Sequence, residues 1–164
     1  MRKRLFILII LVLVCSSVFA AAKKSPANLD AVDMKGNKVN AEIFKDYDVT
    51  MINIFTTWCG HCINEMPELN ELYGKLPKNA NLIGICADAY MAPDDLEAIM
   101  EYFELKFPVL KVTTAQKDMI YDTVGYPTTL FVDKNGTLLK AVSGAPRDPV
   151  KYYGDIIDSL LRAK

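Results

Sequence analysis

Five consecutive residues, Trp58-Cys59-Gly60-His61-Cys62, contain the only tryptophan and the only histidine of the chain and two of its four cysteines. A Cys-x-x-Cys pair beside a polarising side chain is typical of a redox-active dithiol. As a structural crosslink the pair would add little stability, because the entropic gain of a disulfide grows with the loop that it closes. The spacing therefore predicts thiol-disulfide chemistry at Cys59 and Cys62.

The flanking segments predict how this motif is held. Residues 49–55 are apolar or β-branched with few interruptions, which is typical of a buried strand. Behind the motif, apolar residues recur at spacings of three and four, which predicts a helix over about 60–76. Cys59 then lies where a helix begins, and there the free N–H groups and the helix dipole stabilise a thiolate.

The two sulfurs are expected to differ in role. Cys59 is the predicted attacking sulfur, and Cys62 follows one turn later on the same face as the less exposed, resolving sulfur. A positively charged His61 would lower the pKa of a neighbouring thiol. The alternative for His61 is an exposed spacer without a role.

After its first 22 residues the chain resembles the thioredoxin-like thiol-disulfide oxidoreductases, in particular the extracytoplasmic TlpA- and ResA-type proteins of cytochrome c maturation. Pro67 follows Cys62 by five residues, where that family carries a proline that kinks the active-site helix. Tyr126-Pro127-Thr128 resembles its cis-proline loop, and Gly144-Ala145 resembles the small-residue corner of its substrate groove.

The resemblance also implies roles for two polar residues. Glu65, three residues after Cys62, matches the acidic residue of the ResA-like branch. Asn53 stands six residues before Cys59, where thioredoxin itself carries a buried aspartate. Glu65 is therefore the expected proton acceptor for Cys62, and a solvated helix residue is its alternative. Glu68 and Glu71 are predicted to be surface residues.

A substrate surface follows from the same resemblance. It places Tyr126, Pro127 and Gly144 beside a Cys59–Cys62 disulfide. The position of Trp58 next to the motif adds this side chain, which is expected to shield the disulfide and line the surface; simple packing beside the motif is its alternative. The resemblance implies a cis bond before Pro127, and X-Pro is the one place where cis costs only about 0.5–1 kcal/mol.

The first residues have the composition of a secretory signal. Three basic residues precede an uncharged apolar run over 5–14, and small residues follow up to Ala22. We expect a signal peptide over 1–22, a short tether over 23–27 and a thioredoxin-like domain over 28–164. The alternatives are a retained membrane anchor, since residues 5–22 just reach spanning length, and lipidation at Cys15, although the preceding valine is bulky. Either way the protein is expected outside the cytoplasm, in the periplasm or at the outer face of the cytoplasmic membrane.

Length and composition fit one globular domain. The chain has 164 residues, of which 51% are hydrophobic and 24% charged. Without the first 20 residues, which hold three basic and no acidic side chains, 16 basic and 20 acidic residues give a net charge of −4. The basic residues form no block, which argues against nucleic acid. We expect protein thiol or disulfide substrates, a membrane thiol-electron donor, no cofactor and a monomer.

The predicted fold class is α/β: a thioredoxin-like central mixed sheet flanked by helices, with an N-terminal hairpin and a central insert at about 90–112. The expected hairpin turns are 35–37 and 134–136, where glycine and asparagine occur together. The predicted strands are 49–56, 82–87, 128–133 and 137–142, and residues 107–112 form a short apolar segment. The predicted helices are 60–76, 94–105, 115–123 and 148–161.

The direction of exchange is open at this point. The Gly-His spacer resembles oxidising disulfide isomerases, whereas Glu65 and Asn53 resemble reductases of the cytochrome c pathway. We favour a reductase and keep a disulfide oxidase or isomerase as the alternative.

Other kinds of site are less well supported. A copper-handling dithiol is the second-class alternative, because two thiolates can hold a soft ion. No second Cys-x-x-Cys or histidine pair completes a zinc site, and haem attachment needs histidine where Ile63 stands. Cys86, in an apolar strand, is expected to be inert, and no separate peroxidatic cysteine supports a thiol peroxidase.

Overall fold

The computed structural model describes residues 23–163, so the predicted signal peptide and Cys15 lie outside the described residues. The strands are β1 (Asp30–Asp33), β2 (Lys38–Asn40), β3 (Val49–Phe55), β4 (Ala80–Cys86), β5 (Val109–Lys111), β6 (Thr128–Val132) and β7 (Leu138–Ser143). The helices are α1 (Gly60–Lys75), α2 (Pro93–Tyr102), α3 (Thr114–Ile120) and α4 (Pro149–Arg162). Single 3₁₀ turns lie at Pro26–Asn28 and Ala41–Phe44.

One mixed sheet carries the domain, in the strand order β2-β1-β5-β4-β3-β6-β7. The central strands β3, β4 and β5 run parallel, and β6 lies antiparallel to β3. Every residue of β3 and β4 is buried, because helices and loops pack on both faces of the sheet. Helices α1 and α4 cover one face, and α3 with the N-terminal segment covers the other. The predicted α/β thioredoxin-like arrangement is confirmed.

The predicted insert is an integral part of the sheet. It contains α2 and β5, and β5 pairs with β4 on one side and with β1 on the other. The N-terminal hairpin therefore reaches the sheet only through a strand that the insert supplies.

Helix α2 ends at Tyr102, three residues before the predicted end. Glu104 adopts a positive φ of 48°, which a helix cannot continue. The Asn70 side chain on α1 donates to the carbonyl oxygens of Phe103 and Glu104, at 2.8 and 3.2 Å. A long-range cap thus replaces the last predicted turn, because terminal carbonyls need partners.

Residues 23–27, which the sequence predicts as a tether, lie against the domain. The Ser25 N–H donates to the carbonyl of Met119 at 3.0 Å, and Lys24 forms an ion pair with Asp122. Gly136, in the turn between β6 and β7, lies against the backbone of Ala27. A β-carbon added at Gly136 would be only 2.9 Å from the Ala27 backbone atoms. Within residues 23–163, no helix has the length and hydropathy that crossing a bilayer requires.

Candidate active site

The cysteine pair lies at the junction of β3 and α1. Cys59 is the N-cap residue of α1, and its Sγ accepts a hydrogen bond from the Cys62 N–H at 3.2 Å. A disulfide joins the two residues, whose Cα atoms are 5.3 Å apart. Cys62 is fully buried and Cys59 is 6% exposed. The predicted placement is confirmed: Cys59 is the outer sulfur at a helix start, where backbone N–H groups stabilise a thiolate.

A carboxylate from the neighbouring strand holds the segment that enters the motif. Asp88, just beyond β4, accepts hydrogen bonds from the Thr57 N–H at 3.0 Å and from the Thr57 hydroxyl at 2.8 Å. The Cys59 N–H in turn donates to the carbonyl of Thr56 at 3.3 Å. Asp88 was not identified from the sequence, because no motif marks it and its role depends on the pairing of β3 with β4.

The remaining cysteine in the described residues is hydrogen-bonded to this same carboxylate. Cys86 is buried, as predicted, and its Sγ donates to Asp88 Oδ1 at 3.2 Å. Burial and the adjacent carboxylate raise the pKa of the Cys86 thiol. A protonated thiol is a poor nucleophile, which agrees with the expectation of an inert cysteine.

Glu65 is buried behind Cys62, at 3% exposure, and is not the solvated helix residue of the alternative interpretation. The two residues are three apart on α1 and therefore share one helix face. Burial raises the pKa of the Glu65 carboxyl to about 7, against a smaller lowering by the hydrogen bond from Asn53, and the nearby charge of Glu68 raises it further. Such a group can take up and release a proton near neutral pH.

A chain of hydrogen bonds connects Glu65 to three other elements. Asn53 on β3 donates from Nδ2 to Glu65 Oε1 at 2.8 Å and to Thr129 Oγ1 at 3.2 Å. Thr129 on β6 donates to the Tyr153 hydroxyl on α4 at 3.2 Å. Burial, and then the charge of Glu65, raise the pKa of Tyr153. Sequence reasoning missed Thr129 and Tyr153; the only available signal for Tyr153 was its position on the apolar face of the last helix.

A groove of about 310 Å³ opens beside this network. Its lining residues are His61, Asn64, Glu65, Glu68, Ala145, Pro146, Arg147 and Pro149. The Oε2 atoms of Glu65 and Glu68 are both buried and lack a hydrogen-bond partner among the described residues. Glu68, predicted to be a surface residue, is half-buried at the groove, where its Oε2 is buried. Glu71 is exposed, as predicted, and pairs with Lys75.

The proposed substrate surface is assembled from three loops. The bond between Tyr126 and Pro127 is cis, which confirms what the resemblance implied. The Gly144 N–H donates to the Pro127 carbonyl at 2.8 Å, and Gly144 has a φ of 83°, in the region that favours glycine. Trp58 is 72% exposed and meets Tyr126 edge-on, with ring centroids 5.8 Å apart. The structure thus links all four predicted residues to one another next to Cys59, which Trp58 precedes in the chain. Pro67 lies inside α1.

The sequence matches the AhpC/TSA family over residues 21–141, about three quarters of the chain. The chain belongs to the AhpC/TSA family.

Within the AhpC/TSA family, the chain is similar to proteins named thiol-disulfide oxidoreductase ResA. It is 29% identical over 157 residues to the one from Bacillus thuringiensis subsp. konkukian, covering 87% of this chain and 89% of that protein. It is 31% identical over 121 residues to the one from Bacillus cereus (strain ATCC 10987), covering 74% and 69%. This AhpC/TSA protein is accordingly a member of the thiol-disulfide oxidoreductases.

A solved structure supports the fold independently. A thiol:disulfide interchange protein of the thioredoxin family from Chlorobium tepidum TLS superposes with a TM-score of 0.68 at 21% identity, covering 86% of this chain and 99% of that one. In the part of this AhpC/TSA protein that the structure describes, no three His, Cys, Asp or Glu side chains are grouped to hold a metal ion.

Proposed function

We propose that this protein is an extracytoplasmic reductase of protein disulfides, with Cys59 as nucleophile and Cys62 as resolving thiol. The observation that carries the proposal is the buried Glu65 carboxyl one turn after Cys62, with its pKa raised to about 7 by burial. An acceptor of this kind fits the removal of a proton from a buried thiol. The ResA-type relatives support the same reaction class.

The exchange has two steps. The Cys59 thiolate attacks one sulfur of a substrate disulfide, a mixed disulfide forms, and the other substrate sulfur leaves as a thiolate. Cys62 then loses its proton to Glu65 and attacks the Cys59 sulfur, which closes the Cys59–Cys62 bond and releases the second substrate thiol. The substrate gains two electrons, and the protein loses two.

The surrounding residues have supporting roles in this proposal. His61 is exposed in the first turn of α1, and its imidazolium would stabilise the Cys59 thiolate. The exposed Trp58 and the loop at Tyr126-Pro127 would hold the substrate chain beside the sulfurs. Each cycle leaves the cysteine pair oxidised, so a thiol-electron donor must reduce it again; a donor in the membrane fits a protein exported by the leader over 1–22.

The reductase direction rests on Glu65 and Asn53, which the resemblance associates with cytochrome c maturation. The Gly60-His61 spacer favours the opposite direction, because it resembles the spacer of oxidising isomerases. A thioredoxin-like reduction potential lies at about −270 mV and an isomerase-like one at about −180 mV, so the potential separates the two candidates.

The experiment is to equilibrate the mature protein in glutathione buffers and to measure its reduction of a protein disulfide with a chemical thiol as donor. We expect a potential near that of thioredoxin and turnover that Cys59→Ser abolishes. Cys86→Ser, which keeps a donor for Asp88, is the matched cysteine control and should retain turnover. A potential of about −180 mV or higher would support the oxidase or isomerase instead.

A further inference from the structure

We propose that Glu68 is a positioning residue for proton transfer and acts on Glu65 through the groove that the two carboxylates share. Its charge sets the pH at which Glu65 passes to solvent the proton that it has taken from Cys62. The proposal rests on the reductase function and adds a residue that neither the motif nor the resemblance identifies.

The geometry of α1 places the two carboxylates together. Glu65 and Glu68 are three residues apart, so they are neighbours on one helix face. The Glu65 Oε1 is taken by Asn53, which leaves Oε2 as the atom without a partner. The Oε2 of Glu68 is likewise buried and without a partner among the described residues, and both side chains line the same groove.

Few other charges surround Glu65. On α1 it faces Cys62 and His61, on α4 it faces the neutral Tyr153, and its partners on β3 and β6 are an amide and a hydroxyl. Arg147 lines the groove from the loop before α4 but is exposed. Glu68 is thus the carboxylate that opposes ionisation of Glu65, because a like charge nearby disfavours the charged form.

The shared groove provides a route by which the Cys62 proton, once on Glu65, can leave to solvent. When the Cys62 sulfur attacks Cys59, the S–H bond breaks and the proton goes to Glu65 at Oε2, since Oε1 already accepts from Asn53. The proton then leaves through the groove, past the Glu68 carboxylate, to solvent. One proton enters and one leaves in each cycle, and no further reactant is needed.

The test compares Glu68→Gln with Glu71→Gln. Glu71 lies on the same helix but is exposed and pairs with Lys75, so its variant controls for the loss of one negative charge. The Glu65 carboxyl is titrated by carbon NMR in the full mature protein, and the rate at which the mixed disulfide resolves is measured against pH. Glu68→Gln should move both midpoints down by about one pH unit, because a like charge has been removed. Glu71→Gln should move neither.

The outcomes separate this inference from the reductase proposal. Equal Glu65 midpoints in the wild type and both variants would overturn the role of Glu68, even if the wild type reduces protein disulfides normally. A lower midpoint only in Glu68→Gln supports the role of Glu68, even if no reductase turnover is found, in which case the reductase proposal is what fails. Glu68→Ala is the second variant and should lower the midpoint in the same direction.

Discussion

The Asn53 amide on β3 and the Glu65 carboxyl on α1 are joined by a hydrogen bond of 2.8 Å in the interior of the protein, between the sheet and the active-site helix. An amide can donate to a carboxyl group in either of its protonation states, and it favours the charged one, which is why this contact lowers the pKa of Glu65. The pair therefore fixes the position of a group that can gain and lose a proton.

Glu65→Gln should change how stability depends on pH. The pKa of Glu65 is raised to about 7 in the folded protein from an ordinary value of 4.5, so the protonated form favours folding. That contribution is complete below the unfolded value and is lost as pH rises through the folded one, by about 3 kcal/mol in all. Urea unfolding at several pH values should show the wild type losing stability relative to Glu65→Gln as pH rises.

The matched control for this measurement is Glu71→Gln, on the exposed side of the same helix. Its unfolding free energy should follow that of the wild type across the same pH range. A constant difference between the wild type and Glu65→Gln at every pH would show that Glu65 does not titrate as a buried acid.

Replacing either cysteine of the pair should trap partners unequally. Cys59 is the outer sulfur at the start of α1, and Cys62 is fully buried. Cys62→Ser should therefore accumulate mixed disulfides between Cys59 and substrate proteins, while Cys59→Ser should accumulate few or none. Non-reducing electrophoresis with mass spectrometry distinguishes them, and equal trapping by both variants would reverse the assignment of the nucleophile.

His61→Pro tests whether the imidazole acts on the thiolate. Position 61 lies in the first turn of α1, where proline is tolerated, so the fold should persist. Loss of the positive charge should raise the pKa of Cys59 and make the couple more reducing. Thiolate absorbance titrated in both proteins measures this, and superimposable curves would leave His61 as a spacer.

The parts that could be predicted from the sequence are those that depend on nearby residues or on the family resemblance. A continuous apolar and β-branched run predicted β3, helical spacing predicted α1, and the turn residues predicted both hairpins. The site is less local: Tyr153 joins the Glu65 network, through Thr129 and Asn53, only because α4 packs beside α1. Asp88 reaches Thr57 only because β4 pairs with β3. The partial burial of Glu68 is of the same kind, since the loop before α4 lines the other side of the groove.

Gly136→Ala should loosen the N-terminal segment. Gly136 has a φ of 72°, and an added β-carbon would lie 2.9 Å from the backbone of Ala27. We expect a loss of stability of about 1–3 kcal/mol and faster hydrogen exchange at the Ser25 amide. Gly36→Ala separates the two causes, because Gly36 has a φ of 88° but nothing within 4 Å of an added β-carbon. Equal losses in both variants would mean that the contact with Ala27 adds nothing.

The contact between Ala27 and Gly136 and the disulfide lie at opposite ends of the sheet. Val132, the last residue of β6, pairs with Thr50 near the start of β3, so the turn at Gly136 lies at the end of the sheet away from Cys59. The seven residues of β3 span about 23 Å. A resin, electrode or fusion partner joined through residues 23–27 would thus be attached at the end of the domain opposite the disulfide. The disulfide would remain accessible to a second macromolecule.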